Sequence, residues 1–528
     1  MITSLAIGSI NDISRLGTGV PEDIISAIKR KIVLLDSDQT KFIFQEPEKK
    51  TIRIQGLSGT GKTELLLHRI KELYVNDRES RIALTCHSKI LAYELRKRIP
   101  TFFNFMKVEE QIDWQERLFC AGAWGSASDI GSGLYRYICA FYEIPFMNLR
   151  AANFDFGYAC REAIRNLSSS PKFGKEYPFD YIFVDESQDF THDFSTLCEL
   201  VTRKTVYIAG DVFQDIFERN ISGENIDFLL KKCYRTDPAT LTVSHAFGMG
   251  LIGDSPIIRW LDDEQWAACG YTINRAGSRF QVGRDPVRRF SGTIHDSILP
   301  MTIHSLDDSN HEAVTNVVCE IIKSIYTQFP NVTVNDISIL CPLDNSKFYE
   351  LADYMSFTIN RTLGIRINKA YESKELRSGQ LFLSNRNNVK GLEFPFVICL
   401  ASQMKRSLNY RNCLYMMLTR SLVATHLILF EKSGENETSN RLRNAVSCYQ
   451  TNGYIEFQEP SPNEKADAER SLLDPKIQVS HREFVESIAA SMSLGSDLDH
   501  IVQTVCKFRP NNFDSDEIKD LIETLVSQ

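Results

Sequence analysis

Eight consecutive residues, Gly56-Leu57-Ser58-Gly59-Thr60-Gly61-Lys62-Thr63, satisfy the pattern G-x-x-x-x-G-K-[ST] in full. Such a run captures polyphosphate. Its glycines let the backbone wrap an anion with N–H groups pointing inward, its lysine meets the β- and γ-phosphates, and its threonine hydroxyl is a hard ligand for Mg²⁺. A second run, Tyr181-Ile182-Phe183-Val184-Asp185-Glu186-Ser187-Gln188-Asp189, ends an apolar stretch in adjacent carboxylates. Asp185 is suited to the Mg²⁺ shell begun by Thr63, and Glu186 to polarising an attacking water. A glycine-rich turn or a pair of acids is commonplace alone. Together the two runs predict a site that holds a polyphosphate with Mg²⁺ and cleaves a phosphoanhydride.

Such a site needs elements to hold it. Before the glycines stands a short β-branched run, IRIQ, and after them an amphipathic pattern, ELLLHRIKELY, which predicts strand, loop and helix in the order of a phosphate-binding α/β unit. RIALTC, YIFVDE and TVYIAGD read as further strands, with SKILAYELRKRI as a helix between the first two. A second series follows about residue 300: MTIHSL, DISILCP, QLFLSN, FPFVICLA and THLILFE are strand candidates, with helices such as HEAVTNVVCEIIKSIYTQF among them. The expected fold class is α/β, with two lobes built on mainly parallel sheets.

The predicted division is a lead-in over 1–38, a first lobe over 39–230 with a short insertion at about 127–180, and a connecting segment over 231–300. A second lobe over 301–432 and an acidic helical appendage over 433–528 complete it. Within the connecting segment, Trp260, Trp266, Arg284, Arg288 and Arg289 mix aromatic and basic character. That mixture suits either a nucleic-acid or partner surface or a packed subdomain with a basic face.

Composition sets the limits. The chain has 528 residues, 43% hydrophobic and 24% charged, the usage of a globular protein of more than one domain. No run of about 18 apolar residues occurs and the N-terminus lacks a signal-peptide pattern, so a cytoplasmic protein without a membrane partner is expected. The 13 cysteines stand singly, which excludes a C-x-x-C zinc clip and predicts reduced thiols. Net charge is −8, but residues 461–528 carry −6 of it, leaving a nearly neutral body that neither requires nor forbids nucleic acid.

An ordered series of segments resembles the superfamily 1 helicases of the UvrD, Rep and PcrA type. Gln39, ahead of the phosphate loop, resembles the adenine-reading glutamine of that family. LTCHSKILAYELRKRI, with His87 and Lys89, and GAWGS, with Trp124, resemble its single-strand-binding segments, and DESQD its acid box. Gly210-Asp211-Val212-Phe213-Gln214-Asp215-Ile216-Phe217 is similar to G-D-x-x-Q-x-I-[YF], whose glutamine senses the γ-phosphate. Lys232-Cys233-Tyr234-Arg235-Thr236 is similar to N-Y-R-[ST], whose tyrosine stacks on adenine and whose arginine reaches the γ-phosphate. Lys390-Gly391-Leu392-Glu393-Phe394-Pro395 resembles the segment whose glutamate contacts nucleotide, and Tyr415-Met416-Met417-Leu418-Thr419-Arg420-Ser421 the one supplying a second γ-phosphate arginine. Taken singly, Tyr234, Arg235, Glu393 and Arg420 are ordinary core, ion-pair and turn residues. Their order from Gln39 to about Leu429 carries the resemblance.

The resemblance implies two RecA-like lobes that close on ATP and Mg²⁺ and step 3′ to 5′ along single-stranded DNA or at a single-strand/duplex junction. Departures accompany it: NRNNV replaces the threonine and histidine that usually lead into K-G-L-E-F-P, and methionine replaces the alanine of the last box. The insertions expected in each lobe are reduced, and the tryptophan that usually follows the glutamine box is absent, leaving Phe217 as the candidate stacking residue. ATP hydrolysis is thus better supported than unwinding, and a DNA- or partner-regulated ATPase switch is the alternative. The compact build is similar to the helicase-like subunits of bacterial anti-phage systems such as Gabija, which implies DNA repair or antiviral defence beside a separate nuclease or other protein partner.

Overall fold

The computed structural model describes residues 37–526 apart from 115, 153–154, 212–225, 234–235, 253–256, 258–259, 278, 285–297, 307–309, 344–345, 386–387, 402–407, 432–436, 466–467, 469–484, 486–487, 490–491, 493–497 and 509–514. The predicted lead-in, except for its last two residues, lies outside the described residues, as do Gln214, Phe217, Tyr234, Arg235, Arg288 and Arg289.

The first lobe has six parallel strands: β1 (Thr51–Gly56), β2 (Ile82–Cys86), β3 (Leu118–Gly122), β4 (Phe179–Val184), β5 (Thr202–Asp211) and β6 (Phe228–Leu230). Their order in the sheet is β3-β2-β4-β5-β1-β6. β2 and β4 are buried along their whole length, as strands covered on both faces must be, and this is why IALTC and FDYIFV show no alternation. The covering helices are α1 (Ser37–Phe44), α2 (Lys62–Asn76), α3 (Lys89–Phe105), α4 (Leu134–Tyr142), α5 (Phe156–Leu167) and α6 (His192–Val201). The Ser88 side chain accepts from the Leu91 N–H and fixes the start of α3.

Next comes a small unit. Asp237 caps α7 (Pro238–Met249), and an Asp262/Gln265 capping box starts α8 (Asp263–Ala268). β7 (Thr272–Ala276) and β8 (Arg279–Gly283) form an antiparallel pair. The second lobe holds β9 (Met301–Leu306), α9 (His311–Gln328), β10 (Ile337–Cys341), α10 (Ser346–Leu363), β11 (Ile367–Lys369), β12 (Leu381–Asn385), β13 (Phe394–Ala401), α11 (Leu408–Leu418) and β14 (Ser421–Phe430). Its sheet, again six parallel strands, runs β11-β12-β10-β13-β14-β9.

Beyond the second lobe the structure differs from the predicted division. After α12 (Glu437–Asn452), β15 (Tyr454–Gln458) returns to pair antiparallel with β8, Ile455 opposite Val282 and Phe457 opposite Phe280. The start of the predicted appendage is therefore part of the small unit, because β15 covers the second edge of β8. Trp266 is fully buried there, and Trp260 meets Phe280 edge-on at 4.9 Å. Arg284 is also buried, so the described part of the aromatic and basic segment is packed core rather than a surface. The helices α13 (Leu498–Phe508) and α14 (Ser515–Val526) have a separate core of Val485, Ile488, Val502, Val505, Ile518 and Ile522. Among the described residues, no helix is long and apolar enough to cross a membrane. All 13 cysteines are free thiols.

Candidate active site

The loop after β1 needs two left-handed residues, Gly59 at φ +77° and Gly61 at φ +91°. A Cβ on Gly59 would stand 2.8 Å from Cys233 Sγ and 2.9 Å from Thr236 Oγ1, so this glycine is fixed by close approach as well as by torsion. Lys62 opens α2 and folds its ammonium back onto the loop, donating to Gly56 O at 2.8 Å and Leu57 O at 3.0 Å. The next residue, Thr63, donates from Oγ1 to Asp185 Oδ2 at 2.7 Å.

Asp185 is completely buried just past the end of β4, and one oxygen accepts from the Glu186 N–H at 3.0 Å. Burial pushes its pKa up, Glu186 pushes it further, and the Thr63 hydroxyl and the Lys62 charge oppose both. A hydroxyl and a carboxylate in contact make a pair of hard oxygen donors, the chemistry that suits Mg²⁺. Glu186 has φ +55°, a conformation that costs a non-glycine residue about 1 kcal/mol and is met chiefly where function holds it. Gln188 Nε2 donates to Glu186 Oε2 at 2.6 Å, while Gln188 Oε1 accepts from the Asp211 N–H at 3.0 Å.

These groups face a cleft of about 400 Å³ between the lobes. From the first lobe it is lined by Ser58, Gly59, Gly61, Lys62, Thr63, Glu186 and Asp211, and from the second by Gly391, Glu393 and Arg420. Arg420 is buried, and its Nη1 stands 3.9 Å from Glu186 Oε1. The lobes also meet through the Lys390–Asp189 ion pair and through Tyr415 OH donating to Asp211 Oδ2 at 3.4 Å, and Thr236, in the connecting segment, donates from Oγ1 to Thr419 O at 3.1 Å. Gly391, at φ +73°, lies so close to α3 that a Cβ would fall 2.4 Å from the Leu91 side chain.

The structure thus brings together Lys62, Thr63, Asp185, Glu186, Glu393 and Arg420. Gln39 is buried on α1 and does not line the cleft. His87 and Lys89 lie exposed past the end of β2, the His87 ring 5.7 Å from that of Phe190. Trp124 is half-buried; its indole N–H donates to Met147 O at 2.9 Å and its ring lies 4.9 Å from Phe156, so its donor is already engaged inside the lobe. On either side of the undescribed pair 234–235, Cys233 Sγ donates to Ser58 O at 3.2 Å and Thr236 reaches Thr419.

Sequence reasoning missed Gln188, Tyr415 and Arg98. The first two were visible inside recognised segments but carried no spacing signal of their own. Arg98, on α3, lines the cleft and pairs with Glu64 of α2. Its signal was weaker still, one cation in the basic run Arg96-Lys97-Arg98.

This arrangement defines a P-loop nucleotide-binding protein of two RecA-like lobes. Residues 39–219 match an AAA domain and residues 380–428 the UvrD-like helicase C-terminal domain. Together the matches support a UvrD/Rep-like superfamily 1 helicase and imply an ATP-dependent one. No curated protein matches the chain.

Proposed function

We propose that the chain hydrolyses ATP in the interlobe cleft and uses closure of the lobes to move 3′ to 5′ on single-stranded DNA. The observation that carries this reading is Arg420 of the second lobe standing 3.9 Å from Glu186 of the first, across a cleft that also holds Lys62. Hydrolysis needs a polarised water on one side of the γ-phosphorus and positive charge on its oxygens. Glu186 supplies the first, and Lys62 with Arg420 the second. Lys62 donates to Gly56 O and Leu57 O at the rim of the cleft, a position from which its ammonium can meet phosphate oxygens. Thr63 and Asp185 are the residues that would hold Mg²⁺, which when bound neutralises charge on the β- and γ-phosphates. The resemblance adds Gln39 and Tyr234 on adenine, Glu393 on the nucleotide, Gln214 and Arg235 on the γ-phosphate, and His87, Lys89, Trp124 and Phe217 on the strand. Its setting would be cytoplasmic, in DNA repair or antiviral defence, beside a separate nuclease or other protein.

One observation favours a second reading, an ATPase switched by DNA or a partner without processive unwinding. Among the described residues, the span between β3 and β4 holds only α4, α5 and short turns, leaving little structure to grip a duplex. Steady-state ATPase with Mg²⁺, alone and with single-stranded DNA, duplex DNA or RNA, distinguishes them, with Glu186→Gln as the inactive control. A translocating motor shows stimulation that rises with strand length before saturating. Turnover indifferent to every nucleic acid sinks the motor reading and leaves the switch.

A further inference from the structure

Glu186 is held by a chain of contacts that leaves the cleft. From Gln188 it passes to the Asp211 backbone, and from the Asp211 carboxylate to Tyr415 OH. Tyr415, on α11 of the second lobe, is completely buried, and its phenol also hydrogen-bonds the Ser58 backbone in the phosphate loop. One hydroxyl accepts from that N–H and donates to the carboxylate at once. Against the Tyr415 ring, at 4.5 Å, lies the imidazole of His245 on α7, also completely buried. His245 Nδ1 is hydrogen-bonded to Tyr271 OH, at the start of the small three-stranded unit. The Arg284 guanidinium stands 4.6 Å over the Tyr271 ring and donates to Cys269 O at 3.1 Å and Lys231 O at 3.0 Å. Two residues beyond Lys231, Cys233 returns to Ser58, so the contacts form a closed circuit through the phosphate loop.

Apolar side chains would fill this volume without needing every polar atom matched, and a buried polar network restricts its members to one geometry. We propose that Tyr415 is a positioning residue of the ATPase site and that His245 and Tyr271 extend its hold to the three-stranded unit, making the placement of Glu186 dependent on that unit. The proposal rests on the ATPase reading and adds His245 and Tyr271, which lie outside the cleft lining.

The test is steady-state ATPase of the full chain with Mg²⁺ and single-stranded DNA, with thermal midpoints recorded for each variant. Tyr415→Phe deletes one oxygen and is expected to lower kcat about tenfold while KM for ATP stays within about twofold. Tyr271→Phe, remote from nucleotide, is expected to lower kcat about threefold, with a lower midpoint because His245 Nδ1 loses the Tyr271 hydroxyl, and with KM for ATP within about twofold. Because both cut one chain, the double variant should be no slower than Tyr415→Phe alone. Wild-type kcat in Tyr415→Phe, a loss confined to KM, or losses that multiply in the double variant would each overturn the proposal. Lys62→Ala, run alongside, separates this from failure of the wider reading. If it matches wild type, the ATPase assignment falls and takes this inference with it. If it is inactive while Tyr415→Phe retains full kcat, only this inference falls.

Discussion

The two lobes share six parallel strands and helices on both faces, yet they equip their sides of the cleft differently. The first lobe builds its side largely from backbone: a glycine loop between β1 and α2, with Lys62 and Thr63 at a helix start and two carboxylates past the end of β4. The second lobe instead places charged side chains just ahead of strand starts, Lys390 and Glu393 before β13 and Arg420 before β14. A backbone cradle binds phosphate whatever the partner lobe does. Side chains at 3.9 Å across a gap act only when the gap closes. On the proposed reading one lobe would bind and the other report closure, which would make hydrolysis conditional on lobe movement.

Substitutions on the two sides should fail in different ways. The largest loss belongs to Lys62→Ala, expected to cut ATPase by about 10³-fold or more and to weaken nucleotide binding as well, read by steady-state kinetics and fluorescent-nucleotide titration. Arg420→Lys keeps the charge but loses the planar fork, and should lower kcat by about 10²-fold with nucleotide affinity nearly intact. If Arg420→Lys weakened binding as strongly as Lys62→Ala, the division between binding and sensing would collapse.

The same difference governs what the sequence could show. The phosphate loop is contiguous, with fixed torsions at Gly59 and Gly61, so its geometry is written in its residue order. The carboxylates were equally legible because a wholly buried strand delivers them. The second-lobe residues were legible only through resemblance, since nothing local to Arg420 marks it as facing Glu186. Short strands carried too little pattern: β6 and β11 have three residues each, and β3 is five residues including Cys120, Ala121 and Gly122. β15 was missed because its partner, β8, lies more than 170 residues earlier. The circuit through Tyr415 and His245 depends wholly on tertiary packing and had no sequence signal.

Acid should test the first lobe from behind its phosphate loop. His68, on α2, is buried edge-on to Phe102, and burial lowers its pKa to about 4 despite the opposing pull of Glu64. The folded state thus binds a proton less readily than the unfolded chain, whose histidines titrate near 6.5. Stability from this group is complete above pH 6.5 and is lost as pH falls toward 4, by about 2 kcal/mol at pH 5. Denaturant unfolding at pH 7 and pH 5, with His68→Phe for comparison, measures it. An equal acid response in both proteins removes His68 as the cause.

The smallest effect probes closure itself. Lys390 and Asp189 pair across the lobes beside the cleft but outside its lining. Lys390→Met and Asp189→Asn should each lower kcat by about three- to fivefold, the value of one partly exposed charge-assisted bond, and a double-mutant cycle should show them coupled. Neither residue meets the phosphate loop, so nucleotide affinity in an ATPase-inactive Glu186→Gln background should stay at its starting value. A drop in that affinity would mean that closure already forms part of nucleotide binding, and the lobes would then differ in construction but not in task.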